Sequence, residues 1–318
     1  MAAETRPQYL DELAMLAASR DVPMLIQPRA VSPSFLEFIR RVEELAPDLI
    51  VCDSYSMLLP EEILRIPDAG AINVHGGILP EYRGSNPIQW AIIEGESQAG
   101  VTMHYMDKGF DTGDIIACRR VPLFFTDTWL DVRDRIGNAT EELMSEQLPL
   151  LLKGRASRFP QEKARARHHR RRKAEDGRID WSHPVRDIYN LIRALVSPMP
   201  GAHYVASGKV HVLDSYLTVA EVAALKQQLV PPRPLKRDTC QIRVVNAKSN
   251  DPVAFAVVDV AERPAGSAQL TQIDYENGLA KAQIDLDSDV CDRAATRDAV
   301  AQFARSELRV SASWPDLP

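Results

Sequence analysis

Short apolar runs alternate with amphipathic helical runs over the first 120 residues, and this alternation constrains the fold more than any other feature. The runs VPMLI, DLIVCDS and GAINVHG predict buried strands. Between the first two lies SPSFLEFIRRVEELAP, which has a serine before its apolar face and a proline after it and therefore predicts a helix. Such alternation is typical of α/β proteins. The sequence therefore predicts a mostly parallel sheet flanked by helices over residues 22–120.

The character of the sequence changes after residue 160. The stretch QEKARARHHRRRKAEDGRIDW is basic, polar and turn-rich, and GAHYVASGKVHVLDSYL predicts a β-hairpin that turns at Ser207 and Gly208. CQIRVV, PVAFAVVDV and LAKAQIDL predict strands of a small β module that a helix closes. We therefore divide the chain into an N-terminal α/β domain, a linker with a helix and hairpin that open the C-terminal domain, and a smaller β-rich module, over residues 1–160, 161–230 and 231–318.

Composition and charge argue against several classes of protein. A net charge of −6 argues against a surface coated in basic patches for nucleic acid, although it allows one local basic site. The cysteines are scattered, with no CxxC pair or Cys/His cluster, so neither a zinc site nor a disulfide framework is predicted. The N-terminus lacks the apolar core of a signal peptide, and no apolar run approaches the roughly 20 residues of a membrane span. We expect a cytoplasmic protein that binds no metal and no membrane.

Polar side chains lie where two predicted strands end. Asn73 and His75 end the run GAINVHG, and an extended backbone places residues two apart on one face. Asp107, Asp111 and Asp114 follow the run GVTMHYM, in a segment with Asp-Thr-Gly turn chemistry. Ligands of an open α/β sheet bind beyond the carboxyl ends of its strands. We therefore expect these side chains to face a common ligand.

An imidazole, an amide and a carboxylate suit acyl transfer to an amine. The imidazole can take a proton from the nucleophile, and the amide can donate a hydrogen bond to a carbonyl oxygen that becomes an oxyanion. The carboxylate can orient the imidazole and raise its pKa. The residues alone leave another interpretation open, in which the histidine caps a loop and the asparagine and aspartates only stabilise turns.

Residues 48–202 resemble the formyltransferases that use 10-formyltetrahydrofolate. One motif is NVHGGILPEYRGSNPIQWAI, close to the family's Asn-x-His-x-x-x-Leu-Pro-x-x-Arg-Gly pattern, and the other is GVTMHYMDKGFDTGDI, close to its Gly-Val-Thr…Asp-x-Gly pattern. The resemblance implies a doubly wound, Rossmann-like catalytic domain and an enzyme that takes 10-formyltetrahydrofolate as co-substrate. It also implies a catalytic triad of Asn73, His75 and Asp111.

The same resemblance implies where the pteridine of the folate lies. The residues implied are those of a loop after DLIVCDS and of a second loop after GVTMHYM, namely Met57, Leu58, Leu59, Asp107, Lys108, Gly109 and Phe110. For the apolar members of this set, ordinary core packing is the interpretation that the residues alone favour.

The residues around the two motifs indicate which amine accepts the formyl group. YRGSNPIQWAI and AEDGRIDW…LIRALVSPMPGA resemble the branch that acts on nucleotide-linked amino sugars, so the expected acceptor is a primary amine on a nucleotide sugar. Methionyl-tRNA and hydroxyornithine are the alternatives. The basic run of residues 163–173 predicts a solvated linker rather than a tRNA patch, because the chain is acidic overall and the run has no interleaved aromatic residues.

Two departures from the family pattern carry expectations of their own. The family opens with a strand, a helix and a second strand, whereas this chain begins at what reads as the helix before the third strand. Either the true start lies upstream, or the protein is a truncated relative whose catalytic domain lacks its first strand. For the chain as given we expect an unpaired sheet edge, with low solubility or homo-oligomers. Residues from about 226 onward match no part of the family that we can place, and they form either a diverged version of its small C-terminal β domain or an unrelated module. A non-catalytic subunit that binds folate or a nucleotide sugar is the alternative to an enzyme.

Overall fold

A computed structural model describes residues 7–55, 58–213, 217–229, 240–244, 253–259, 264–274, 279–286 and 293–313. The chain separates into two compact units that are interleaved along the sequence. The first unit contains residues 1–88, 98–122 and 133–171, and the second contains residues 89–97, 123–132 and 172–318.

The helices follow the amphipathic runs of the sequence. They are α1 (Pro7–Ser19), α2 (Phe35–Leu45), α3 (Glu61–Leu64), α4 (Pro87–Ile93), α5 (Trp129–Leu152), α6 (Val185–Ala194), α7 (Val219–Leu229) and α8 (Arg293–Phe303). No helix in the described ranges is long and apolar enough to cross a membrane.

The first unit contains a four-stranded sheet and a short two-stranded one. Its strands are β1 (Ile50–Asp53), β2 (Ala71–His75), β3 (Arg83–Gly84), β4 (Gln98–Tyr105), β5 (Ile115–Pro122) and β6 (His168–His169). The larger sheet has the order β1-β2-β4-β5, and β3 pairs with β6 in parallel. Ile72 and Met103 are fully buried on β2 and β4 and form part of the core.

The predicted α/β class is confirmed, and the strand directions are mixed. β1 and β2 run parallel, with Ile50 opposite Ala71, whereas β4 is antiparallel to both β2 and β5. The loop 106–114 between β4 and β5 is too short for a crossover helix, and a short connection between neighbouring strands requires them to be antiparallel. The mostly parallel arrangement that we predicted is therefore limited, among the described strands, to the β1–β2 pair.

The segment before α2 differs from its prediction. The run VPMLI was expected to form a strand, but residues 22–26 have no regular structure, and only Gln27 forms a bridge, so this prediction is wrong. Pro23 has no N–H to contribute to a strand ladder. Among the described strands, β1 pairs with β2 alone and forms one edge of the sheet. Phe38, Ile39 and Val42 of α2 pack on a small core that includes Cys52 of β1.

The second unit contains the predicted hairpin and the β-rich module. The hairpin consists of β7 (Ala202–Ala206) and β8 (Lys209–Leu213), and its turn residues Ser207 and Gly208 have φ angles of +49° and +72°. Positive φ at both turn positions is the geometry that hairpin strands favour. The remaining strands are β9 (Cys240–Val244), β10 (Val253–Asp259), β11 (Pro264–Asp274), β12 (Leu279–Leu286) and β13 (Ser311–Ser313).

The strands β9 to β13 form one sheet in the order β13-β12-β11-β10-β9. All its pairs are antiparallel except that of β12 with β13. Phe255 and Leu270 are buried on one face of this sheet. The ring of Phe303, at the end of α8, contacts the ring of Phe255. The predicted C-terminal β-rich domain with a closing helix is confirmed, and β11 is a strand that the sequence patterns did not indicate.

Candidate active site

The candidate site is built on β2 and its antiparallel neighbour β4. Asn73 and His75 are two residues apart on β2, and Asn73 lies opposite His104 of β4 in the strand register. Because alternate residues of a strand share a face, these three side chains come together. The loop after β4 brings Asp111 to them, although β4 is antiparallel to β2 and its carboxyl end therefore lies beside the start of β2 rather than beside its end.

His75 is held by a backbone carbonyl on one side and faces a carboxylate on the other. Its Nε2 lies 2.6 Å from the carbonyl oxygen of Tyr82. A carbonyl only accepts, so Nε2 carries the proton of the neutral ring and Nδ1 carries a lone pair. That Nδ1 lies 3.7 Å from Oδ2 of Asp111. The neutral imidazole therefore presents one free basic nitrogen, and that nitrogen faces Asp111.

Burial sets the charge of His75. The side chain is only 8% exposed. Burial lowers the pKa of His75 because it penalises the imidazolium, and this effect outweighs the nearby Asp111 carboxylate and the Tyr82 carbonyl, which raise that pKa. A Cβ on Gly77 would lie 2.9 Å from Nε2 and 2.7 Å from Cβ of Pro87, so glycine is needed behind the ring. His75 is therefore neutral at pH values where an exposed histidine begins to protonate.

Asp111 is an ionised carboxylate with several donors around it. Its Oδ2 accepts a hydrogen bond from the backbone N–H of Gly84 at 2.8 Å, and its Oδ1 lies 3.4 Å from Nδ2 of Asn73. Burial raises the pKa of Asp111, but a hydrogen bond with His104, the charge of His75 and the Gly84 N–H together lower it to about 2. The two histidine effects apply when those rings are protonated, whereas the Gly84 N–H acts at every pH. The carboxylate is therefore charged at neutral pH.

The side-chain amide of Asn73 contacts both His104 and the Asp111 carboxylate. Its Nδ2 lies 3.2 Å from Nε2 of His104. His104 Nδ1 donates to the carbonyl of Tyr105 at 2.8 Å, so its neutral ring has a bare Nε2 that accepts from Asn73. The second contact, to Asp111, is at 3.4 Å and is long for a hydrogen bond. This N–H can turn to another acceptor, such as a substrate carbonyl oxygen, at small cost.

Two family models cover most of the chain. The model described as formyl transferase matches residues 13–148, and the model of the formyl transferase C-terminal domain matches residues 171–258. The chain belongs to the formyltransferase family. The predicted family and the predicted enzyme class, a one-carbon transferase, are thereby confirmed. The second model extends to residue 258, so residues 226–258 match the family's C-terminal domain, which is one of the two interpretations left open for them.

Solved structures with the formyltransferase fold resemble this chain over most of their length. A likely sugar N-formyltransferase from Mycobacterium tuberculosis is 22% identical with a TM-score of 0.55, over 67% of this chain and 94% of that protein. A sugar N-formyltransferase from a Shewanella species is 21% identical with a TM-score of 0.51, over 68% and 97%. At these identities the likeness concerns the fold.

A larger formyltransferase-fold protein covers the whole of this chain. HypX from Aquifex aeolicus, solved in complex with tetrahydrofolic acid, is 18% identical with a TM-score of 0.52. The likeness covers 99% of this chain and 48% of HypX. At this identity the likeness again concerns the fold.

The residues that the family resemblance assigned to folate have varied surroundings. Met57 lies outside the described residues. Leu58 is 46% exposed, whereas Leu59 is buried in the core beside Cys52 and Ile63. Of this described pair, only Leu58 therefore has an exposed side chain.

The loop after β4 closes on itself and exposes one aromatic ring. Asp107 accepts hydrogen bonds from the N–H of Gly109 and the hydroxyl of Thr112, and so it stabilises its own turn. A Cβ on Gly109 would lie 2.1 Å from Oγ1 of Thr112, which explains glycine there. Lys108 is exposed, and Phe110 is 61% exposed. Phe110 is the large apolar side chain that this loop exposes to solvent.

Sequence reasoning missed His104. It lies in the quoted run GVTMHYM, where strand alternation puts Thr102 and His104 on one face, and that alternation was the available signal. What the sequence does not indicate is the register that sets His104 opposite Asn73. Arg83 donates two hydrogen bonds to the side-chain oxygen of Gln161.

Proposed function

We propose that this protein transfers the formyl group of 10-formyltetrahydrofolate to the primary amine of a nucleotide-linked amino sugar. The observation that carries the proposal is the convergence of Asn73, His75 and Asp111, with a neutral imidazole whose Nδ1 lies 3.7 Å from an ionised carboxylate. This set supplies a base, an amide donor and a counter-charge, which are what acyl transfer to an amine requires.

The proposed reaction proceeds by addition and elimination. The amine nitrogen attacks the formyl carbon, and the carbonyl oxygen becomes an oxyanion that accepts an N–H of Asn73. His75 takes one amine proton at Nδ1, and the resulting imidazolium is stabilised by Asp111 at Nδ1 and by the Tyr82 carbonyl at Nε2. The bond from the formyl carbon to N10 of the folate then breaks as His75 returns the proton to N10. The products are a formamide and tetrahydrofolate.

The co-substrate and the acceptor rest on different support. Folate is supported by the formyl transferase model and by the tetrahydrofolic acid bound to HypX, which shares the fold. An amino sugar as acceptor is supported by the residues around the two motifs and by two sugar N-formyltransferases of the same fold. The net charge of −6 favours a small-molecule acceptor over a nucleic acid.

Release of tetrahydrofolate tests the proposal. Wild-type protein is mixed with 10-formyltetrahydrofolate and, in separate reactions, a nucleotide-linked amino sugar, hydroxyornithine or methionyl-tRNA. Tetrahydrofolate is followed by absorbance, and the formamide product by mass spectrometry. We expect turnover with the amino sugar. Turnover with only another acceptor would overturn the acceptor, and folate binding without turnover on any amine would support the binding-subunit alternative instead.

A further inference from the structure

Asp111 needs support from outside its own loop. Its φ angle is +54°, in the left-handed region that residues with a side chain seldom adopt. Gly113 follows closely, and a Cβ there would lie 1.9 Å from the carbonyl oxygen of Tyr105. A backbone in so restricted a conformation persists only where its surroundings hold it.

Gln161 supplies that support with every polar atom of its amide. Its Nε2 donates to the carbonyl of Asp111 at 2.9 Å and to the carbonyl of Gly113 at 2.7 Å. Its Oε1 accepts from Nε and Nη2 of Arg83 at 2.9 and 2.7 Å. Since carbonyls only accept and a guanidinium only donates, the orientation of this amide is fixed by its partners.

The two ends of this link meet at the candidate site. Arg83 is followed by Gly84, whose N–H holds Oδ2 of the Asp111 carboxylate at 2.8 Å. The Arg83-Gly84 dipeptide therefore fixes the side chain of Asp111 through Gly84 and its backbone through Gln161. A shift of this loop would change the distance between Oδ2 of Asp111 and Nδ1 of His75, which is 3.7 Å.

We propose that Gln161 is a positioning residue that holds the Asp111 carboxylate at the distance from His75 that formyl transfer requires. This inference rests on the proposed function for its kinetic consequence only. Gln161 is the first residue of the basic, turn-rich stretch, two positions before the run 163–173 that was predicted to be a solvated linker, and its contacts tie the start of the stretch to the site.

Gln161→Glu is the sharpest variant. It keeps the shape and the acceptor that faces Arg83, but it places an oxygen opposite the two carbonyls in place of Nε2. A misplacement of about 1 Å can cost about a hundredfold in rate, so we expect kcat to fall by about that factor, with KM for folate and acceptor little changed. Gln147→Glu, on α5 and partly exposed, adds the same charge and should leave kcat unchanged.

An NMR titration of the His75 ring supplies a readout that does not depend on the acceptor. The Asp111 carboxylate raises the pKa of His75, so its displacement in Gln161→Glu should lower that pKa further, and Gln161→Met should do the same if the glutamate variant fails to fold. A wild-type protein with no formyl transfer would refute the proposed function and leave this titration to decide the positioning role. An unchanged His75 pKa, or a kcat within twofold of wild type, would show that Gln161 only braces the chain.

Discussion

β1 and β2 are neighbours in one sheet and have opposite surroundings. β2 pairs with β1 on one side and β4 on the other, and four of its five residues are buried. β1 pairs with β2 alone among the described strands, and Val51 at its centre is 41% exposed. The strand fixed on both edges carries Asn73 and His75. Side chains that must hold sub-ångström geometry are thus placed on the strand with the least freedom.

The contrast extends to the side chains around each strand. Beside β2, the carbonyls of Tyr82 and Tyr105 and the N–H of Gly84 hold the polar groups of the site. On α1, α2 and β1, large apolar side chains are exposed, namely Met15, Leu16, Leu36 and Val51. One region is held by polar contacts, and the other exposes apolar side chains, from which we predict self-association.

The largest expected effect lies in the β2 region, at the base and its carboxylate. His75→Ala and Asp111→Ala should each lower the single-turnover rate of formyl transfer by about a hundred- to ten-thousand-fold, the range for a positioned acid–base group. The double variant should be little slower than either single one, because groups that act as a unit are not additive. Exposed His183→Ala is the control and should retain the wild-type rate. Multiplied losses in the double variant would separate His75 from Asp111.

Asn73 should show a smaller loss that is confined to chemistry. Removal of one oxyanion donor typically costs about a hundred- to a thousand-fold in rate, so Asn73→Ala should be slow in single turnover. Folate affinity, measured by fluorescence titration, should stay near the wild-type value because the amide contacts His104 and Asp111 rather than the implied folate residues. A large loss of folate affinity with an unchanged rate would assign Asn73 to binding.

The third effect concerns stability in acid. The pKa of Asp111 falls from its ordinary 3.8 to about 2 in the folded protein. Its contribution is therefore present above pH 4 and is lost as pH falls through 2, and it amounts to about 2 kcal/mol. Denaturant unfolding should show a steeper loss of stability between pH 4 and pH 2 in wild type than in Asp111→Asn. Parallel curves would mean that Asp111 is no better solvated by donors than an exposed carboxylate.

The smallest expected effect on stability lies at the open edge beside β1. Val51→Lys should change the free energy of unfolding by no more than about 0.5 kcal/mol, as exposed substitutions usually do. The same change should reduce self-association in sedimentation velocity, because an edge lysine opposes strand pairing. Leu152→Lys, at an exposed position of α5, is the matched control and should leave association unchanged. A wild-type chain that is monodisperse and monomeric would remove the contrast in association between the two regions.

The placement of Asn73 and His75 on one face could be predicted from strand alternation. The strand-end rule for parallel sheets does not account for Asp111, because β4 runs antiparallel to β2 and its carboxyl end lies beside the start of β2. That Asp111 joins the other two was implied by the family resemblance. His104 and Gln161 could not be predicted in the same way, because their contacts depend on register and on loops far apart in sequence.

The errors in the fold have a common physical origin. VPMLI has a strand-like composition, but a short apolar run also suits irregular chain, and Pro23 removes a donor. The direction of β4 depends on the length of the loop to β5 rather than on the strand's own residues. The alternation of strand and helix patterns therefore predicted the α/β class, while connection lengths and long-range pairing decided the strand directions and the contacts of Asp111.

The proposed reaction requires that the site hold His75 as a neutral base with its free nitrogen at Nδ1. Long-range ¹H–¹⁵N spectra of the ring, assigned with His75→Gln, report tautomer and protonation without any acceptor. We expect the Nε2–H tautomer at pH 7, because Nε2 faces the carbonyl of Tyr82. We also expect the ring to become protonated only below the ordinary histidine pKa of 6.5, because burial lowers the pKa of His75. An Nδ1–H tautomer, or a ring already charged at pH 7, would contradict this requirement.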